Sequence, residues 1–187
     1  MNNEVIKVYD QNLNNIALIE DYKSFQCTEK FADVGSFTIK LAFDKKYDNS
    51  LIIMNFIKYK NFDGVITGIQ KTTAENGTTE MIVSGASLNF LLSMRVNVDL
   101  PYFNKSISAI VTALVTYNCI DSSDWNGKRV IPHLTIGGVT NINDTLTAYG
   151  VQYGTLLDNI KELANEYNFG FNITLDAENK ILIFNTF

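Results

Sequence analysis

A chain of 187 residues with 46% hydrophobic and 12% aromatic side chains is long enough to bury a core, in one domain or two small ones, and too apolar to stay disordered. The formal net charge of −5 argues against a surface that grips phosphate backbones, which needs clustered Lys and Arg, and leaves only a passive encounter with DNA. No run approaches the roughly 18 apolar residues of a membrane span, and Met1-Asn2-Asn3-Glu4 is not the basic start of a signal peptide.

The first half reads as strands joined by turns. Val5 to Tyr9 and Ile16 to Ile19 flank the turn formers Asp10-Gln11-Asn12-Leu13-Asn14-Asn15 and predict a hairpin. Strands follow at Tyr22 to Lys30 and Ser36 to Phe43. In the second of these, Phe37, Ile39 and Leu41 alternate with Ser36, Thr38 and Lys40, the period of a half-buried strand. Asp63 to Thr73 and Thr79 to Ser84 flank Ala74-Glu75-Asn76-Gly77, where Asn-Gly accepts φ > 0 and marks a hairpin. Ser87 to Leu92 reads as a short helix and Met94 to Val98 as another strand. With no helix long enough to cover a sheet before residue 100, this half is expected to close as a small β-barrel or sandwich.

The second half changes character after Asp99-Leu100-Pro101-Tyr102-Phe103-Asn104, the best boundary. The expected modules are therefore 1–99 and 100–187. Ile107, Ile110, Val111, Leu114 and Val115 form the stripe of an amphipathic helix over about 106–117, with Asn104 or Ser106 as its cap. Thr155-Leu156-Leu157-Asp158 opens a second helix, about 155–168, with Leu156, Leu157, Ile160, Leu163, Ala164 and Tyr167 on one face and Asn168-Phe169-Gly170 as its end. Phe171 to Leu175, the turn Asp176-Ala177-Glu178-Asn179 and Lys180 to Phe184 make a closing hairpin. The fold class is α+β, mainly β: a β module followed by an α+β module with two helices.

Residue chemistry selects no active site. Cys27 and Cys119, both among apolar or strand-like neighbours, are expected to be buried free thiols rather than a disulfide or a metal pair. His133 is the only histidine and follows Pro132, a surface turn position, and zinc would need three or four ligands. Val83-Ser84-Gly85-Ala86-Ser87 lacks the first glycine of a nucleophile elbow. Asp21, Asp33, Asp63, Asp121, Asp124, Asp144 and Asp158 fall mostly in turns or helix starts, where Asp caps backbone donors, and nothing selects a glycosidase pair among them. Asp44, Asp48 and Asn49 read as a solvated turn, without the glycine and terminal Glu of a calcium loop. Ile136-Gly137-Gly138-Val139 reads as a tight turn without the Lys of a phosphate loop. No catalytic, cofactor-binding or metal residue is assigned, and no enzyme activity is expected.

The order of segments says more than any one motif. Val5-Tyr9-Asp10 with Asn14 and Ile19-Glu20-Asp21-Tyr22, Phe25 to Phe31 leading to Gly35-Ser36-Phe37-Thr38-Ile39, Asp63-Gly64-Val65-Ile66-Thr67-Gly68-Ile69, and Met81-Ile82-Val83-Ser84-Gly85 with Leu88 and Leu91-Leu92-Ser93-Met94-Arg95 resemble the ReqiPepy-type siphovirus tail protein family. So do Lys128-Arg129-Val130-Ile131-Pro132-His133-Leu134, with His133 where that pattern usually has Asn, then Tyr153-Gly154-Thr155-Leu156-Leu157, Leu163-Ala164 and Phe169-Gly170-Phe171.

The resemblance implies a structural protein of a phage or prophage tail tip, made and assembled in the host cytoplasm. It implies part of a baseplate hub ring, a homotrimer docked on the distal tail protein around a channel through which DNA passes without being held. An acidic chain suits such a channel, since a lining with few cations does not retain DNA. Family members generally continue past this point, so the resemblance leaves open a short natural protein or a piece of a longer one. The alternatives are a host-surface module that binds carbohydrate or a receptor, and, after it, a cell-wall hydrolase module.

Overall fold

The computed structural model describes residues 4–75, 77–97, 102–121, 127–140, 142, 144–150 and 153–187. The chain forms two compact units: Met1–Lys30, Val34–Leu88 and Ala177–Lys180 in the first, Phe31–Asp33, Asn89–Asp176 and Ile181–Phe187 in the second. Residue 99, where the sequence reading places its boundary, lies outside the described residues, and the second unit already takes in Asn89.

The first unit is built on seven strands: β1 (Ile6–Tyr9), β2 (Asn15–Ile19), β3 (Tyr22–Thr28), β4 (Ser36–Ala42), β5 (Phe56–Tyr59), β6 (Phe62–Thr73) and β7 (Thr79–Ser87). They form one sheet in the order β2-β1-β5-β6-β7-β4-β3, antiparallel throughout. Two facts make this sheet curl. Its edge strands β2 and β3 are joined by Glu20 and Asp21 alone, a link that spans at most about 11 Å, whereas the edges of a flat seven-stranded sheet stand about 29 Å apart. The edges are also six antiparallel steps apart, so β2 and β3 run the same way. Asn15 to Thr28 is therefore one strand, bent at Glu20-Asp21, that pairs with β1 before the bend and with β4 after it.

Side chains fill the barrel so formed. Ile6, Val8, Ile19, Phe37, Ile39, Leu41, Ile57, Ile66, Met81 and Val83 are buried in one cluster. Tyr47 and Leu51, from the 3-10 turn Lys45–Tyr47 and the residues after it, join them. Under β3, Phe25 packs on Tyr59 at 4.2 Å between ring centroids and on Phe37 and Phe62 at 6.1 Å. At the bend, Asp21 accepts hydrogen bonds from the Tyr47 hydroxyl and the Lys46 ammonium. The tyrosine that plugs the core thus also ties down the corner.

In the second unit, the single turn α1 (Phe90–Ser93) is followed by β8 (Tyr102–Ser106), α2 (Ile107–Val115), β9 (Leu134–Ile136), β10 (Thr145–Tyr149), α3 (Leu156–Tyr167), β11 (Phe171–Asp176) and β12 (Ile181–Thr186). Of the two expected caps for α2, Ser106 serves, its hydroxyl accepting from the Ala109 amide at 3.3 Å. Thr155 caps α3: its Oγ1 accepts from the Asp158 amide at 3.1 Å and donates to that residue's carboxylate at 2.6 Å. Beyond α2 the chain widens into a π turn, Thr116–Ile120. There the Asn118 side-chain amide donates to the Leu114 carbonyl at 2.9 Å. The apolar stripe of α2 is buried as the spacing predicts, and so is that of α3 except for Tyr167, which is half-buried.

β11 and β12 form the expected hairpin, and β12 also pairs in parallel with β9. Buried Asn89 serves β11 as a surrogate peptide. Its amide donates to the Phe171 and Asp33 carbonyls, and its oxygen accepts from the Ile173 amide at 2.8 Å.

Three expectations are corrected. Of the strand expected at Met94 to Val98, the described residues form one bridge, Val96 with Thr155, because Met94 still closes the α1 turn. Gly137-Gly138 is not a tight turn. It runs on along β12, with the Gly137 amide donating to the Phe184 carbonyl at 2.8 Å, and a Cβ at Gly137 would strike the side chains of Ile183 and Asn185. Cys27 is exposed, because β3 turns that stretch of the bent strand to solvent, whereas Cys119 is buried and both are free.

Candidate functional site

One polar arrangement gathers residues of three segments of the second unit. Arg95 donates through Nε to the Arg129 carbonyl at 2.7 Å and through Nη2 to the Val130 carbonyl at 3.2 Å. In return, Arg129 donates through Nη2 to the Val96 carbonyl and to Asn118 Oδ1, the latter at 2.7 Å. Each guanidinium holds the other's main chain. Beside them lies Cys119, whose backbone carbonyl accepts from the Ile131 amide at 2.8 Å. Burial pushes the Cys119 thiol up to about 12, against the pull of the two arginines. A thiol held protonated is neither a nucleophile nor a metal ligand.

Of the carboxylates considered as acid–base candidates, Asp21, Asp33, Asp63 and Asp158 are engaged locally. Tyr47 and Lys46 hold Asp21, and the Tyr47 hydroxyl lowers its carboxyl below the usual range. Asp33 pairs with Lys161 at 3.0 Å and Asp158 with the Thr155 cap. Asp63 stands in the strand expected from Asp63 to Thr73. It lies buried in β6, directly across from Lys58 of β5, and the two pair at 2.9 Å. Asp44 caps the 3-10 turn and Asp48 pairs with Lys71, as a solvated turn would have it. Asp121 follows the π turn and Asp144 precedes β10, while Asp124 lies outside the described residues. Among the described residues, no three His, Cys, Asp or Glu side chains cluster as metal ligands would.

His133 is exposed in a turn, as expected, with φ at 66°. That left-handed backbone suits Asn better than other side chains. Two surface depressions lie among the described residues. One, of about 590 Å³, runs along α2 past Ala109, Thr112, Ala113 and Thr116. The other, of about 340 Å³, lies beside the Lys23–Glu80 pair. No helix among the described residues is long and apolar enough to cross a membrane.

What the surface does offer is apolar area: Ile16, Leu18, Ile52 and Ile53 in the first unit, and Phe31, Met94, Val96, Tyr153 and Phe187 in the second, are all more than a third exposed. The sequence reading missed both the arginine pair and this surface. The paired basic residues lay in segments 34 positions apart, and the exposed Ile52-Ile53 step was the one available signal.

This fold is shared with solved phage tail proteins. The chain superposes on the tail protein from Neisseria meningitidis MC58 with a TM-score of 0.63 at 12% identity, over 97% of this chain and 50% of that one. It superposes on prophage tail protein gp18 from Listeria monocytogenes EGD-e with a TM-score of 0.61 at 15% identity, over 97% and 50%. The Escherichia coli c3393 protein is a type VI secretion component similar in structure to T4 bacteriophage tail proteins gp27 and gp5. It matches with a TM-score of 0.59 at 15% identity, over 89% and 45%. The chain therefore spans half or less of the length of these structures. Among curated proteins none matches it. The chain belongs to the Siphovirus ReqiPepy6 Gp37-like protein family, whose model matches residues 5–187.

Proposed function

We propose that this chain is a structural component of a siphovirus tail tip and acts by assembly, not by catalysis. The observation that carries the reading is the family match over residues 5–187, on a fold shared with phage tail proteins along 97% of the chain. In this reading the chain forms a homotrimer within the baseplate hub ring. The ring docks on the distal tail protein and leaves a channel through which DNA passes unheld. A net charge of −5 supports passage without retention. The local engagement of the carboxylates and the protonated Cys119 support a non-enzymatic role, with no cofactor and no metal.

Native mass spectrometry of the chain with its distal tail protein tests this. A trimer that binds a hexameric ring is expected. A chain that stays monomeric beside that partner, or that cleaves peptidoglycan in a zymogram, overturns it.

A further inference from the structure

We draw no further inference here: the strongest candidate, the exposed Met94, Val96 and Tyr153 beside the bridge from Val96 to Thr155 at the start of α3, is an unpartnered apolar face, and nothing in the structure shows what covers it.

Discussion

Arg95 and Arg129 clasp one another's backbone: the side chain of each donates to main-chain carbonyls at or next to the other, 34 positions away in sequence. Arg95 holds the stretch that enters Ile131-Pro132, and Arg129 holds the stretch at Val96 that bridges to the start of α3. Both guanidiniums are half-buried, where a charge-assisted hydrogen bond is worth about 1.5–3 kcal/mol. Arg95→Ala and Arg129→Ala are each expected to cost about 2–3 kcal/mol in urea denaturation. The double variant is expected to cost clearly less than their sum, because the first change already frees the segment the second arginine holds. Lysine should not rescue Arg95, since one ammonium cannot reproduce the fork of Nε and Nη2 that bonds two carbonyls at once.

The Phe37 ring lies over two glycines, Gly85, its cross-strand neighbour on β7, and Gly64 on β6. A Cβ at Gly85 would run into both the ring and the Val65 carbonyl, and backbone cannot yield as a flexible side chain does. Gly85→Ala should therefore destabilise the barrel by about 1–3 kcal/mol or more. Gly68→Ala, whose new carbon meets only the Ser84 hydroxyl, should cost far less. Thermal midpoints of the two variants side by side check the ordering.

Local signals carried much of this fold. The alternation in Ser36 to Phe43, Asn-Gly at the β6–β7 turn, and the Thr155-to-Asp158 cap act within a few residues, so a single pass along the chain reads them. The barrel's closure is different in kind. That Asn15 to Thr28 is one strand follows only from counting antiparallel steps around the sheet, a relation among residues up to 87. β5 went unread because it is four residues long and its turn, Lys60-Asn61, puts the left-handed φ of 53° on Lys60 and not on the Asn. β9 is three residues long and depends on a parallel partner near the end of the chain. At the site level, Arg95 and Arg129 stood in the segments that carried the family resemblance, yet nothing local indicates that their side chains exchange backbones.

His133 spends its backbone in a left-handed turn while its carbonyl accepts from the Leu182 amide at 2.9 Å, which ties the turn to β12. An L-residue there carries a penalty of about 1–2 kcal/mol, which Gly escapes and Asn partly escapes. His133→Asn is expected to stabilise the chain by about 0.5 kcal/mol and His133→Gly by up to about 1 kcal/mol, while His133→Val should destabilise it by a similar amount. Denaturant midpoints of the three variants beside wild type check the order.

The two cysteines should behave oppositely. Cys27 is exposed and open to alkylation in the folded chain, whereas Cys119, fully buried, should react only on unfolding; mass spectrometry after a short iodoacetamide pulse distinguishes one adduct from two. The pH dependence follows from the same burial. Folded Cys119 keeps its proton up to about 12, while in the unfolded chain it loses it near 8.5. Between those values the folded state binds the extra proton, so the contribution is complete below pH ~8.5 and is lost as pH rises toward the folded value. From pH 8.5 to 10 the loss amounts to about 1–2 kcal/mol. Tyr22 and Tyr149, both pushed up to about 12 by burial, add the same sign only above their unfolded value near 10. Below pH 10 the slope thus comes from the thiols: Cys119 and, raised in the same direction by burial and Glu29, Cys27. Cys119→Ala should flatten it in urea denaturation across that window, and a slope unchanged in that variant would show that another group titrates there.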